Sequence, residues 1–282
     1  MHDDALARKE LGALLRARRS RLKPTGPSVR RRTPGLRREE VAERAGISVA
    51  LYTWLEQGRI VAVSPAAVDR IADALGLNAD ERSCAQQLAH PSAPPKRLVE
   101  HVESLTTWQS LVDGYGDGLS YVTDPSWQIV AWNDPFGYVH GLTSSSTTLE
   151  RNLVYRLFMC EWDRYVDPEA TARRFVAKLR ADYAAHLGDE RFMNTIEQLA
   201  ASCPRFAEYW GAHAITSSLS FAGDAIRVGT LGVYTYRALP FPTPPGLESG
   251  RFCIQLPEDQ ESVSVLQAIK LLSRADRSAP VG

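Results

Sequence analysis

Ten lysines and arginines between Arg16 and Arg38, with no acid among them, form the densest run of charge in the sequence. A local field of that size attracts a polyanion, although a solvated basic face or a flexible tail has the same composition. Arg30, Arg31 and Arg32 stand in its middle, placed to reach along such a polyanion. Residue patterns for catalysis are missing by contrast. The chain has no Gly-x-Ser-x-Gly elbow, no His-Glu-x-x-His, no Gly-x-Gly-x-x-Gly and no Walker loop. Gly114, Gly116 and Gly118 have the wrong spacing for a phosphate cradle and read as a joint. Cys84, Cys160, Cys203 and Cys253 are scattered without a Cys-x-x-Cys pair, which argues against a disulfide framework or a zinc site. His213 has no second ligand at helical spacing, so a hydrogen-bonded core histidine is the expectation over a haem or metal ligand.

These groups need a scaffold, and 282 residues are enough for about two domains. At 44% hydrophobic and 23% charged, the composition is that of a globular protein. No apolar run approaches the roughly 20 residues that span a bilayer. The N-terminal Met1-His2-Asp3-Asp4 lacks a signal-peptide layout. With the unpaired cysteines, this predicts a cytoplasmic protein that makes no membrane contact. The net charge of zero hides an asymmetry, with an excess of base in residues 1–95 and of acid in 96–282. His90-Pro-Ser-Ala-Pro-Pro-Lys96 is a stiff spacer between the two. The expected layout is a basic first domain over 1–90, a linker over 91–97 and a second domain over 98–276.

Five helices are expected in the first domain. They run over about Asp4–Leu22, from Leu36 to Ala45, over Val49–Gln57 behind Ser48 as cap, from Ser64-Pro65 to Leu75, and from Asn78 to Ala89 behind a capping box. The second domain reads as α+β with an antiparallel sheet. A helix over about Arg97–Val112 leads to strands at Leu119–Thr123 and Trp127–Trp132. Helices follow at Asn152–Cys160, Pro168–Leu187, Glu190–Ala201 and Pro204–His213. Strands are expected at Ile215–Phe221, Ala225–Arg237 and Arg251–Leu256, then a closing helix over about Glu261–Ser273.

Residues 37–58 (RREEVAERAGISVALYTWLEQG) fit a helix-turn-helix. Val41, Ala42, Ala45, Ile47, Tyr52 and Leu55 supply its apolar positions, and Gly46 permits the turn. Such a motif lays its second helix in the major groove, with Arg37 and Arg38 beside phosphates. The pattern Glu-x-x-Ala-x-x-Ala-Gly-Ile-Ser…Leu-Glu-Gln-Gly resembles the Xre or lambda-repressor-like family. More narrowly, Arg32-Thr-Pro-Gly-Leu-Arg-Arg-Glu-Glu-Val-Ala42 and Tyr52-x-x-Leu-Glu-Gln-Gly-Arg59 resemble MmyB-like transcriptional regulators. That resemblance implies a partner in double-stranded DNA, a homodimer on two half-sites, and Ser48, Val49, Ala50, Thr53 and Trp54 toward the groove with Arg59 near phosphate. Val49 and Ala50 have only thymine methyls to read, so polar readout falls to Ser48 and Thr53. Trp54 has an alternative, packed on the first helix, and Arg44 reads as a surface charge.

In the second domain, Tyr121-Val-Thr-Asp-Pro-Ser-Trp-Gln-Ile-Val-Ala-Trp-Asn133 resembles the opening of a PAS-type domain. Glu150-Arg-Asn152, Ser202-Cys-Pro-Arg-Phe206 and Trp210-Gly-Ala-His213 resemble the MmyB-like C-terminal region. The resemblance implies no cofactor but a small apolar effector, a fatty acid or similar acyl compound. Trp132, Phe136, Phe158, Trp162, Phe206, Trp210 and Tyr234, with Trp127, Tyr155 and Phe252, could line an apolar pocket, each buried methylene adding about 0.8 kcal/mol. Asn133, Arg205 and His213 are the candidate donors to a headgroup. The family's Gly-x-Lys turn and His-Pro pair are absent from Phe221–Leu231, so chemistry depending on them does not transfer. The rival reading is a filled dimerisation or protein-interaction module.

Overall fold

The computed structural model describes residues 2–23, 35–59, 62–91, 102–216, 221–242 and 250–278. Arg30, Arg31, Arg32 and most of the expected linker lie outside these residues.

The first domain is helical. Its elements are α1 (His2–Arg21), α2 (Arg38–Ala45), α3 (Val49–Glu56), α4 (Pro65–Leu75) and α5 (Ala79–Ala89). The caps are those the sequence signals. Ser48 accepts from the Leu51 amide at 3.1 Å, Ser64 accepts from Ala67, and Asn78 and Glu81 form a reciprocal capping box. Gly46 ends α2 at φ 61°, its amide reaching back to Ala42, which turns the chain into α3. Leu11, Leu14 and Leu15 of α1 join Val41, Ala42, Tyr52, Leu55, Ile71 and Leu75 in one core.

The second domain is built on a five-stranded antiparallel sheet of order β2-β1-β5-β4-β3. Its strands are β1 (Leu119–Thr123), β2 (Ile129–Trp132), β3 (Phe221–Arg227), β4 (Val233–Pro242) and β5 (Arg251–Pro257). α6 (Val102–Gly114) covers β1 and β2 on one side, packing Trp108 and Val112 on Val122 and Ala131. The alternate residues of the sheet, among them Tyr121, Tyr236 and Cys253, join the main core instead. With them pack α7 (Asp134–His140), α8 (Leu153–Tyr155), continued by a π-turn over Arg156–Cys160, α9 (Pro168–Ala185), α10 (Glu190–Ser202) and α11 (Pro204–Gly211). α12 (Gln260–Ser278) closes the chain against α7 and β4.

Two strand assignments need correction. Ile215 and Thr216 are not in a strand, and β3 begins at Phe221. The expected single strand Ala225–Arg237 is the end of β3, a turn through Gly229 and Gly232, and the start of β4. Both glycines adopt positive φ, which a continuous strand does not allow. β4 also extends to Pro242, into what reads as a Pro-rich loop.

Candidate DNA-binding face and ligand cavity

α3 is held from its buried side by one carboxylate. Glu56, 2% exposed, receives Arg19 Nε at 2.6 Å, Arg38 Nε at 2.5 Å and the Tyr52 hydroxyl at 3.4 Å. One acid thus ties α1, α2 and α3 together. Burial alone would raise its pKa, but the hydrogen bonds from Arg19 and Arg38 outweigh it and hold the carboxyl below its ordinary range. α1 approaches so closely that a Cβ on Gly12 would lie 2.6 Å from the Glu56 carbonyl oxygen.

The opposite side of the motif is open. Ser48, Val49, Ala50 and Trp54 are exposed, Thr53 is half-buried, and Arg37 and Arg59 are exposed beside them. Trp54, half exposed, is not packed away against α1, and Tyr52 is fully buried. Arg38, expected near the phosphates, donates its Nε to Glu56 while its side chain stays about one-third exposed. Sequence reasoning missed Glu56 as the group that organises this face; its place four residues after Tyr52 is the signal that was available.

In the second domain, a cavity lies among the sheet, α9 and the turn before β2. Its walls include Tyr121, Trp127, Phe175, Asp224, Tyr236 and Gln255. Its free space is about 20 Å³, room for roughly one water. Trp127 stands at φ 67°, a backbone conformation that costs on the order of 1–3 kcal/mol for a bulky residue. Asp124 holds that turn by accepting from the Ser126 and Gln128 amides, and the Trp127 indole donates to Asp182 Oδ2 at 2.8 Å. Asp182 also receives Lys178 and, at 2.7 Å, Arg251. Across the cavity, Asp224 Oδ1 accepts from Thr171 at 3.0 Å and from Arg174. Burial raises the Asp224 pKa against the pull of Arg174.

The ten residues expected to hold a ligand do not line this cavity. Phe136, fully buried, stacks on Tyr121 at 4.4 Å, and Tyr234 donates its hydroxyl to the Gln255 carbonyl at 2.9 Å. Phe158, Phe206 and Trp210 pack on one another in the core between the π-turn and α11. Trp132 is half-buried, with Arg151 over its ring at 5.3 Å. Asn133 is a correction: it is no headgroup donor but the cap of α7. Its oxygen accepts from the Ser120 and Phe136 amides, and its nitrogen donates to the Gly118 and Tyr115 carbonyls. Trp162 and Arg205 stack at 4.1 Å and line a separate open groove with Arg21, Arg173 and Tyr209. His213 lies beyond the end of α11 at φ 50°, with its Nδ1 buried and unpartnered. Burial, then Arg180 and Arg21, push its pKa down to about 4. Trp127 is the aromatic of the wider sequence set that reaches the cavity wall. Asp224, Arg251 and Gln255 were invisible because their meeting depends on strand register across β3, β4 and β5.

Two family models match the chain. Residues 105–268, more than half of the sequence, match the MmyB-like transcription regulator ligand binding domain, and residues 10–83 match a helix-turn-helix domain. The chain belongs to the MmyB-like transcription regulators. It is a DNA-binding transcription regulator with a ligand-binding domain. No curated protein matches it. No helix among the described residues is long and apolar enough to cross a membrane.

In this MmyB-like regulator the DNA-binding and ligand-binding parts pack against each other. α5 of the first lies on α9 of the second, Arg180 of α9 meets Glu10 of α1, and Arg21 donates to the Ala212 carbonyl. Cys84, at this contact, is buried, and burial pushes its thiol pKa up to about 12. Phe175, which lines the cavity, and Arg180, which grips the DNA-binding part, therefore share one helix.

Proposed function

We propose that this regulator reads operator DNA through the exposed face of α3 and that occupancy of the cavity beneath the sheet alters that reading. The observation that carries it is the division of α3 into a face fixed by Glu56 and an open face of Ser48, Val49, Ala50, Thr53 and Trp54. Ser48 and Thr53 supply polar contacts to base edges, Val49, Ala50 and Trp54 supply apolar ones, and Arg37 and Arg59 neutralise phosphates. Arg30, Arg31 and Arg32 extend the contact along the backbone. A homodimer places two such helices about 34–36 Å apart on a pseudo-palindromic site. The work is done in the cytoplasm.

The effector is a small apolar molecule, a fatty acid or related compound being the family's class. The PAS-like reading of the second domain draws support from β1 and β2 leading into a short helix capped by Asn133. An effector regulates only through different affinities for two domain arrangements. The shared helix α9 offers that difference. The rival reading, a ligand-free dimerisation or interaction module, draws support from the small free volume of the cavity.

Selection from a random duplex pool, followed by binding at rising salt, tests the DNA reading. Binding should fall steeply with salt, and Thr53→Ala should relax preference at one position of each half-site. Salt-independent binding would overturn the assignment. Native mass spectrometry of freshly purified protein separates the two readings of the second domain: a bound small-molecule mass supports the sensor, and an empty protein unresponsive to added apolar compounds supports the filled module.

A further inference from the structure

We infer that Val49 and Ala50 of α3 read the C5 methyl groups of pyrimidines in the major groove, so that 5-methylcytosine serves beneath them in place of thymine while uracil and unmethylated cytosine do not. This rests on the reading of α3 as the base-contacting helix and names the chemistry that helix selects. At 3.6 residues per turn, Val49, Thr53, Ala50 and Trp54 follow one another across an arc of about 140° on one side of α3. They form its open face: Val49 is 41% exposed, Trp54 50%, Ala50 exposed and Thr53 half-buried. α3 carries no basic residue, and its one acid, Glu56, is buried. Gln57 shares the arc, but it sits at the C-terminal cap, about 12 Å along the axis from Val49. The end that enters the groove is therefore apolar apart from the hydroxyls of Ser48 and Thr53, and the Ser48 oxygen already accepts from the Leu51 amide as helix cap. A valine and a tryptophan left in water beside exposed Arg37 and Arg59 mark a contact surface whose partner is anionic at its rim.

Sharp polar readout of a base edge uses arginine or lysine for guanine, an amide for adenine and a carboxylate for the cytosine amine. None of these stands between Val49 and Trp54. Ser48 and Thr53 add one contact each, but a hydroxyl donates or accepts and sorts the four bases less strictly. The apolar group that a major groove presents is the thymine C5 methyl, and it is what a valine or alanine contacts. 5-Methylcytosine carries that methyl on the same ring carbon. It differs from thymine in an amine donor where thymine has an oxygen, and Val49 and Ala50 have no side-chain polar atom with which to detect the change. Trp54 does carry a donor, its indole N–H, so beneath Trp54 the thymine oxygen keeps its advantage. A C·G pair beneath Val49 or Ala50 thus becomes a better site when its cytosine is methylated.

The test uses the full chain and the duplex selected from the random pool. Each thymine of a half-site is replaced in turn by uracil, which removes the methyl and leaves the hydrogen-bonding edge unchanged. In a second series each T·A pair becomes C·G, with and without a methyl on the cytosine. Beneath Val49 and Ala50, uracil should bind about fourfold more weakly per methyl lost, cytosine no better than uracil, and 5-methylcytosine within about twofold of thymine. Val49→Ala, at an exposed position, should shrink the uracil effect at one base and leave the others as they were. Uracil binding as tightly as thymine throughout, 5-methylcytosine binding no better than cytosine, or a selected half-site without thymine would each overturn the inference while leaving α3 on the DNA. If no duplex is selected, or binding does not fall with salt, the DNA reading fails and the inference with it.

Discussion

The Arg180 guanidinium of α9 sits 3.2 Å from the Glu10 carboxylate of α1 and 3.7 Å from the centre of the Trp210 ring. It also donates to the Trp210 carbonyl, so one side chain joins α9, α11 and the DNA-binding part. Phe175 of the same helix lines the cavity beneath the sheet, and Thr171, Arg174 and Asp182 contact its wall residues Asp224 and Arg251. If the proposed effector site is this cavity, a shift of α9 on binding acts on the seat of α1, which is the physical requirement for linkage between two sites.

Arg180→Met should loosen that seat. It removes the ion pair, the stacking and the carbonyl contact while keeping an apolar stem. The measurement is labelling of Cys84 by a thiol reagent, followed by mass spectrometry. Cys84 should be silent in the native protein, where it is buried and its pKa is pushed up to about 12. In Arg180→Met its labelling should rise several-fold at unchanged helix content. Equal labelling in both proteins would show that Arg180 does not hold the two parts together.

Arginines on the DNA-binding part should separate into two classes. Arg37→Ala and Arg59→Ala leave the fold intact and each lower the slope of log affinity against log salt by about 1. Arg38→Ala should instead lower the melting temperature, because it strips a partner from buried Glu56; breaking such pairs costs about 3–5 kcal/mol, less here since Arg19 remains. A lower salt slope with unchanged stability in Arg38→Ala would place that side chain at the phosphates after all.

Gly12→Ala tests the close approach of α1 to α3. The added Cβ meets main-chain atoms at the end of α3, which have no rotamer to escape into. A loss of about 1–3 kcal/mol is expected, typical of overpacking, although alanine is the better helix former. A neutral or stabilising effect in a chemical melt would refute the contact.

The helical part was legible because its signals are local. Ser48, Ser64 and Asn78 announce helix starts, and Gly46 and Gly76 announce stops, within one turn of the residues they govern. The cavity was not, since Tyr121, Asp224 and Gln255 are brought together by the order β2-β1-β5-β4-β3. Aromatic clustering in sequence favoured Phe206 and Trp210, which fill the core. Asn133 was misread for a related reason: a polar residue beside aromatics looks like a headgroup donor until its four main-chain partners are seen.

Among the groups through which acid should act on this protein are two of opposite kind. Glu56 has a folded pKa below its unfolded value of about 4.3, so its contribution is complete above that value and is lost as pH falls through the folded pKa. His213 is held neutral, its pKa down to about 4 against about 6.5 unfolded. The unfolded chain then takes up a proton the folded one refuses, and stability declines as pH falls from about 6.5 toward 4. Solvent reaches part of the ring, so the decline is modest. Melting temperature measured from pH 8 to 3.5 should show a shallow slope beginning near 6.5 and a steeper one below about 4.3. His213→Gln should flatten the first alone, and Glu56→Gln should lower stability at neutral pH and reduce the second, which Glu161, also held low against its burial by His140 and Arg156, keeps in part. A first slope that survives in His213→Gln would assign it to another group.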